Sequence, residues 1–170
     1  GDPLDRLATK VDVVGRLHIL TEGDPLLVRL YVEALLGEKD RAPTLTPEHL
    51  LQLKPGLRAY FDQWFTEQEK LWGERRPLRE RTVRGLLNLC ATARGPLQRS
   101  DILALAHDIF EDSFLVEDAA NQVNRFVTGD GLVSGYVFSH LRLGEYFAGK
   151  LTPGELQDWE ERFLNYGNQT

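Results

Sequence analysis

The chain contains no methionine and only one cysteine, Cys90. A lone cysteine cannot close an internal disulfide, which suits a reducing compartment and leads to a cytoplasmic expectation. Methionine is missing even at position 1, where Gly1-Asp2-Pro3 falls at a helix start. The expectation is a piece of a longer polypeptide. Long apolar runs are missing too: they span only a few residues, as in Val13-Val14 or Phe114-Leu115-Val116, against the roughly 20 residues a membrane span needs. Basic excess is missing. The net charge is −6, which opposes a nucleic-acid partner, because neutralising phosphates takes a basic face. There is no GxxxxGK(S/T) phosphate loop, no GxGxxG, and no serine in a nucleophile elbow. The chain is therefore not expected to be an enzyme on its own.

What is present is 42% hydrophobic and 27% charged residues, the balance of a folded chain of one large domain or two small ones. Leu4, Leu7, Val11, Val14, Leu17 and Leu20 recur every three or four residues, predicting a helix over about 4–20. Thr21-Glu22-Gly23-Asp24 breaks the pattern. Pro25 opens a second helix, with Leu26, Leu27, Leu30, Tyr31, Ala34 and Leu35 as its stripe and Gly37 as its C-terminal cap. Residues 38–45 read as a loop, and Thr46-Pro47 starts a short helix. Pro55-Gly56 interrupts it. Leu57, Tyr60, Phe61, Trp64, Phe65, Gln68, Leu71 and Trp72 then form an aromatic-rich helical face. The basic stretch Gly73 to Pro77 marks the boundary, giving a helical segment over 1–76 and a second unit over 77–170.

The second unit changes order. Val83, Leu86, Leu87 and Cys90 line a helix closed by Gly95-Pro96. Ser100-Asp101 caps a short helix to about His107, and Asp112-Ser113 caps another carrying Leu115, Ala119, Val123 and Phe126. Two β-rich runs around Gly129-Asp130-Gly131 predict a hairpin. Helices over about 140–150 and 153–164 follow, the second started by Thr152-Pro153. Three helices and then a hairpin are the order of a winged helix. The expected fold is mainly α, a helical segment followed by a winged-helix domain.

A winged helix suggests DNA reading, but fold does not fix function. Asp108, Glu111, Asp112, Glu117 and Asp118 crowd the would-be recognition helix, and residues 108–118 hold no lysine or arginine. A helix entering the major groove approaches two phosphate backbones, so this acidity opposes it. Cys90, beside Leu86 and Leu87, reads as a small buried hydrophobe. His107, Asp108, Glu111 and Asp112 stand at helical spacing, a pattern commoner in solvated acidic loops than in metal sites. His18 and His49 lack partners at ligand spacing.

Two stretches resemble a known family. Leu20-Thr21-Glu22-Gly23-Asp24-Pro25-Leu26-Leu27 resembles the Gly-x-Pro motif in the helical lid of STAND ATPases, the signalling branch of the AAA+ class. Tyr136-Val137-Phe138-Ser139-His140 through Glu145-Tyr146-Phe147 looks like the Phe-x-His…Glu-Tyr/Phe signature that ends the winged helix of NACHT-type members. Pro55-Gly56-Leu57 to Trp72 is similar to their connector. The resemblance covers about residues 4–150. The family's phosphate-binding motifs are not in this chain, and the resemblance puts them before Gly1.

The resemblance implies a role for each motif. Pro25 would pack on the adenine ring of ADP or ATP, Gly23 would permit the close turn, and His140 would contact the β-phosphate of ADP. The implied partners are an upstream nucleotide-binding domain and, once activated, further copies of the parent chain. Bacterial defence signalling is the implied setting. The residues also supply a reason of their own. Ser139-His140 lies where a strand meets a helix N-terminus, whose free N–H groups and dipole favour an anion. Plainer roles stand beside these: Pro25 as a helix starter and His140 as a helix cap. Two other functions remain open, a DNA-binding winged-helix regulator and a protein-interaction module with no nucleotide role.

Overall fold

In the computed structural model, residues 12–37 and 45–169 are described. The apolar positions Leu4, Leu7 and Val11 and the loop over 38–44 lie outside them. The described chain is mainly helical with one small antiparallel hairpin, the expected class. It divides into two compact units, Gly1–Gly73 and Glu74–Thr170.

The first unit begins with α1 (Val13–Thr21) and α2 (Pro25–Leu36). Val13 and Leu20 are buried two helical turns apart, while Val14, expected on the same face, points to solvent. Adjacent helical positions lie about 100° apart, so Val13 and Val14 cannot share one face. In α2 the full expected stripe is buried. Gly37 closes the helix at φ 72° and donates its N–H to the Glu33 carbonyl. Thr46 precedes α3 (Pro47–Leu50), a single turn. Arg16 reaches from α1 to the end of that turn, donating Nε to the Leu50 carbonyl at 2.7 Å and a terminal N–H to Leu53 at 2.8 Å. It satisfies carbonyls that such a short helix leaves open.

In α4 (Leu57–Trp72), Tyr60, Phe61, Trp64, Phe65, Gln68 and Trp72 are buried, while Leu71 is exposed near the helix end. Tyr60 meets Tyr31 of α2 edge-to-face, ring centres 5.1 Å apart, the geometry aromatic quadrupoles prefer. Burial there pushes the Tyr31 hydroxyl up to about 12, against a smaller downward pull from Arg16. The basic stretch expected as a linker is ordered. Gly73–Arg75 forms one 3-10 turn, and α5 (Arg76–Thr92) follows at once. Pro77 sits in that helix's first turn, where its missing N–H costs nothing, so the end of the expected boundary stretch lies inside the helix.

The second unit is built on α5, whose Val83, Leu86, Leu87 and Leu89 are buried and which packs against α7 and α8. Next comes α6 (Arg99–Leu105), capped by Gln98 rather than the expected Ser100. Asp101 lies at the third helical position, and its carboxylate reaches back to accept the Gln98 N–H at 2.8 Å, as acids at that position do. Asp112 caps α7 (Ser113–Gln122) as expected, accepting the Leu115 N–H at 3.0 Å. The core stripe of α7 is Val116 and Ala119, continued by Val123 and Phe126; Leu115 is only half-buried.

Strands β1 (Val127–Thr128) and β2 (Val137–Phe138) pair antiparallel, Val127 opposite Phe138. Leu97, between α5 and α6, exchanges both backbone hydrogen bonds with Tyr136. A third short segment thus joins the hairpin, which ties the wing to the helices. The unit closes with α8 (Leu141–Lys150) and α9 (Pro153–Gln169), the latter running past the expected end. Thr152 and Glu155 cap α9 reciprocally: Glu155 accepts the Thr152 N–H at 2.8 Å, and the Thr152 hydroxyl accepts the Glu155 N–H at 3.2 Å.

Candidate functional site

Gly23 and Pro25 share one turn between α1 and α2. Glu22 and Gly23 both adopt positive φ, 52° and 78°, and the Asp24 N–H returns to the Thr21 carbonyl at 2.8 Å. Space around Gly23 is open, so its requirement there is the backbone angle. Asp24 caps α2, accepting the Leu26 N–H at 3.0 Å, and Pro25 stands exposed at the first helical position.

His140 belongs to the second unit. It is the N-cap of α8, and its Nδ1 accepts the Arg142 N–H at 3.1 Å. With Nδ1 an acceptor, the neutral ring carries its proton on Nε2. The ring is exposed. It borders an open groove of about 390 Å³ between the C-terminal end of α5, strand β2 and the first turns of α8. Arg94, Phe138, Leu141 and Glu145 line the same groove, with Cys90 from α5. The floor is fixed by Phe138, which stacks on Phe147 at 5.5 Å with the rings nearly parallel. Burial pushes the Cys90 thiol up to about 12, so it is protonated at neutral pH and no nucleophile.

Three of the acids in and before the would-be recognition helix pair with arginines. Arg79 of α5 pairs with Asp118 at 3.2 Å, and Arg99 of α6 pairs with Glu117 at 3.2 Å. Asp108 accepts two hydrogen bonds from Arg162 of α9, at 2.6 and 2.8 Å, and that guanidinium holds its carboxyl down at about 2. These acids bolt the helices of the unit together. No His, Cys, Asp and Glu grouping fit to hold a metal occurs among the described residues.

Sequence reasoning missed the arginines. Arg16, Arg79, Arg99 and Arg162 each join elements far apart in the chain, and the acids near them in sequence, such as Asp12 four residues before Arg16 and Asp158 four residues before Arg162, are not the partners they reach. Arg94 carried a weak signal, a cation just before the helix-closing Gly95-Pro96. Among the described residues no helix is long and apolar enough to cross a membrane. Comparison of the chain with protein-family models, curated proteins and solved structures gives no match.

Proposed function

We propose that this chain is the regulatory part of a STAND-type, NACHT-like nucleotide switch. It would supply lid and winged-helix contacts that hold an ADP-bound closed state and release on exchange to ATP. The observation that carries the reading is the way His140 divides its two nitrogens. Nδ1 caps α8, which leaves Nε2–H as a donor beside a groove that Arg94 also lines. Capping and ligand contact are thus compatible in one residue. A neutral cap keeps the positive helix end available to a phosphate. Pro25, exposed beyond a left-handed turn, presents an apolar ring as an adenine contact requires.

The switch is a population shift. ADP favours the closed state only by contacts the open state lacks. A hydrogen bond to a charged phosphate is worth about 1.5–3 kcal/mol, and 1.4 kcal/mol is tenfold in an equilibrium. Losing the His140 contact therefore moves a resting switch towards spontaneous opening. The chain alone, with no phosphate loop, is expected to bind ADP weakly or not at all and to hydrolyse no ATP. Steady turnover by the purified chain would overturn the proposal. The direct test is His140→Ala in a polypeptide that carries the phosphate loop, with ADP dissociation and melting temperature measured on the same protein. Faster ADP release supports the reading. Lower stability with unchanged release reduces His140 to a cap.

A further inference from the structure

We infer that the wing tip and the first turn of α7 form a docking surface for a basic amphipathic helix of a partner protein. This surface involves neither His140 nor its groove and stands independently of the nucleotide reading. At the tip, Leu132 and Val133 are 69% and 88% exposed, and Phe114 of α7 is 67% exposed. Single exposed apolar residues are ordinary. What sets these apart is how firmly the tip is held.

Asp130 Oδ1 accepts the N–H groups of Leu132, Val133 and Ser134 at 2.8, 2.8 and 3.0 Å. The Ser134 carbonyl accepts from both Asp130 and Gly131. From α6, Arg99 donates its backbone N–H to the Gly131 carbonyl at 2.8 Å and its Nε to the Asp130 carbonyl at 3.0 Å. The Tyr136 hydroxyl donates to that same carbonyl. A Cβ on Gly131 would lie 2.5 Å from the Tyr136 ring, and its φ is +72°. The loop is thus set in one conformation while its two aliphatic side chains face water. Little ordering remains to oppose binding, the usual advantage of a preorganised surface.

Arg99 also links the wing tip to α7. The side chain that holds Asp130 pairs with Glu117 of α7, and Phe114 lies three residues before Glu117, one turn away on the same helical face. The rim is acidic. Glu111 is exposed, as are Asp112, which caps α7, and Glu117, which shares its charge with the mostly covered Arg99, and no lysine or arginine occurs between positions 100 and 124. Apolar anchors within an acidic rim complement a helix with leucine-like residues on one face and lysines or arginines flanking it.

The test uses the whole chain and a synthetic leucine–lysine peptide of about 18 residues, long enough to be helical, beside an isomer of the same composition scrambled to destroy the apolar face. Binding is read by fluorescence anisotropy. The amphipathic peptide should bind. Leu132→Ser combined with Val133→Ser should weaken it by about tenfold or more, with an unchanged melting temperature because both side chains are exposed. Glu111→Lys should weaken it further and flatten its salt dependence. No binding, or equal binding of the scrambled isomer, would overturn the inference. So would self-association of the chain that the double serine variant abolishes, since the occupant would then be a second copy. Duplex DNA binding lost in that variant would overturn it in favour of groove reading.

Discussion

The turns carrying Pro25 and His140 solve the same problem in different ways. Each opens a helix with a residue whose side chain accepts the N–H two positions on: Asp24 takes Leu26, and His140 takes Arg142. At α2 the cap is a carboxylate, and the next residue is a proline with no N–H to offer. Negative charge sits on the positive helix end, and that end is closed to a further anion. At α8 the cap is a neutral ring, so the helix end stays positive and gains an Nε2–H beside a groove. Two helix starts that look alike in sequence differ in the ligand chemistry they favour. On the proposed reading the first would meet an apolar ring and the second a phosphate.

The largest effect that would break this comparison comes from unseating the helix under the histidine. Leu143 is fully buried in the first turn of α8. Leu143→Ala should destabilise the chain by about 2–5 kcal/mol, seen as a lower denaturation midpoint. A cost near zero would mean the cap geometry owes nothing to packing beneath it. Next in size is a substitution that keeps the cap and removes the donor. Asparagine caps helices well, so His140→Asn should preserve melting temperature while speeding ADP release from the phosphate-loop-bearing polypeptide about tenfold or more. Release at the wild-type rate would erase the distinction between the two turns.

The mirror experiment is Asp24→Ala. Loss of that cap should cost about 1 kcal/mol in denaturant unfolding; a nucleotide-dependent effect larger than this would show the carboxylate doing more than capping. Smallest is an acid-sensitive contribution in the second unit. Asp108 has its carboxyl held at about 2, chiefly by hydrogen bonding to Arg162, against an ordinary 3.8. A depressed folded value means the stabilisation is complete above about pH 4 and disappears as pH falls towards 2. The pair is partly exposed, so solvent screening limits it to about 1 kcal/mol or less. Asp108→Asn should be less stable than wild type at pH 7 in urea unfolding, and the two should converge near pH 2. A constant gap across that range would assign the loss to something other than the ion pair.

Local chemistry was legible in the sequence. Gly37, Thr46-Pro47, Asp112 and Thr152 act where the pattern puts them, because caps depend on residues within one turn. The stripe of α2 and the aromatic face of α4 followed from spacing. Misreadings came where two local rules compete. Gln98 displaced Ser100 as a cap because Asp101 reaches back to it, and the basic stretch ending at Pro77 reads as a boundary although Pro77 fits a helix's first turn. The arginine clasps were not legible, since Arg99 meets Asp130 across 31 residues and only the closed hairpin brings them together. At the candidate site, the sequence yielded Gly23, Pro25 and His140. It could not indicate which imidazole nitrogen is engaged, or that Arg94 lines the same groove.

Cys90 has a practical consequence for labelling chemistry. With its thiol pushed up to about 12 by burial, it carries far less thiolate at pH 8 than an exposed thiol of ordinary acidity, which is roughly one-quarter ionised there. Val133→Cys at the wing tip, or Leu141→Cys at the groove mouth, would therefore take up a maleimide dye or spin label faster than the native cysteine. The chain can be tagged selectively at one chosen site without first removing Cys90, and distances from the wing or the groove can be followed in an otherwise unaltered protein.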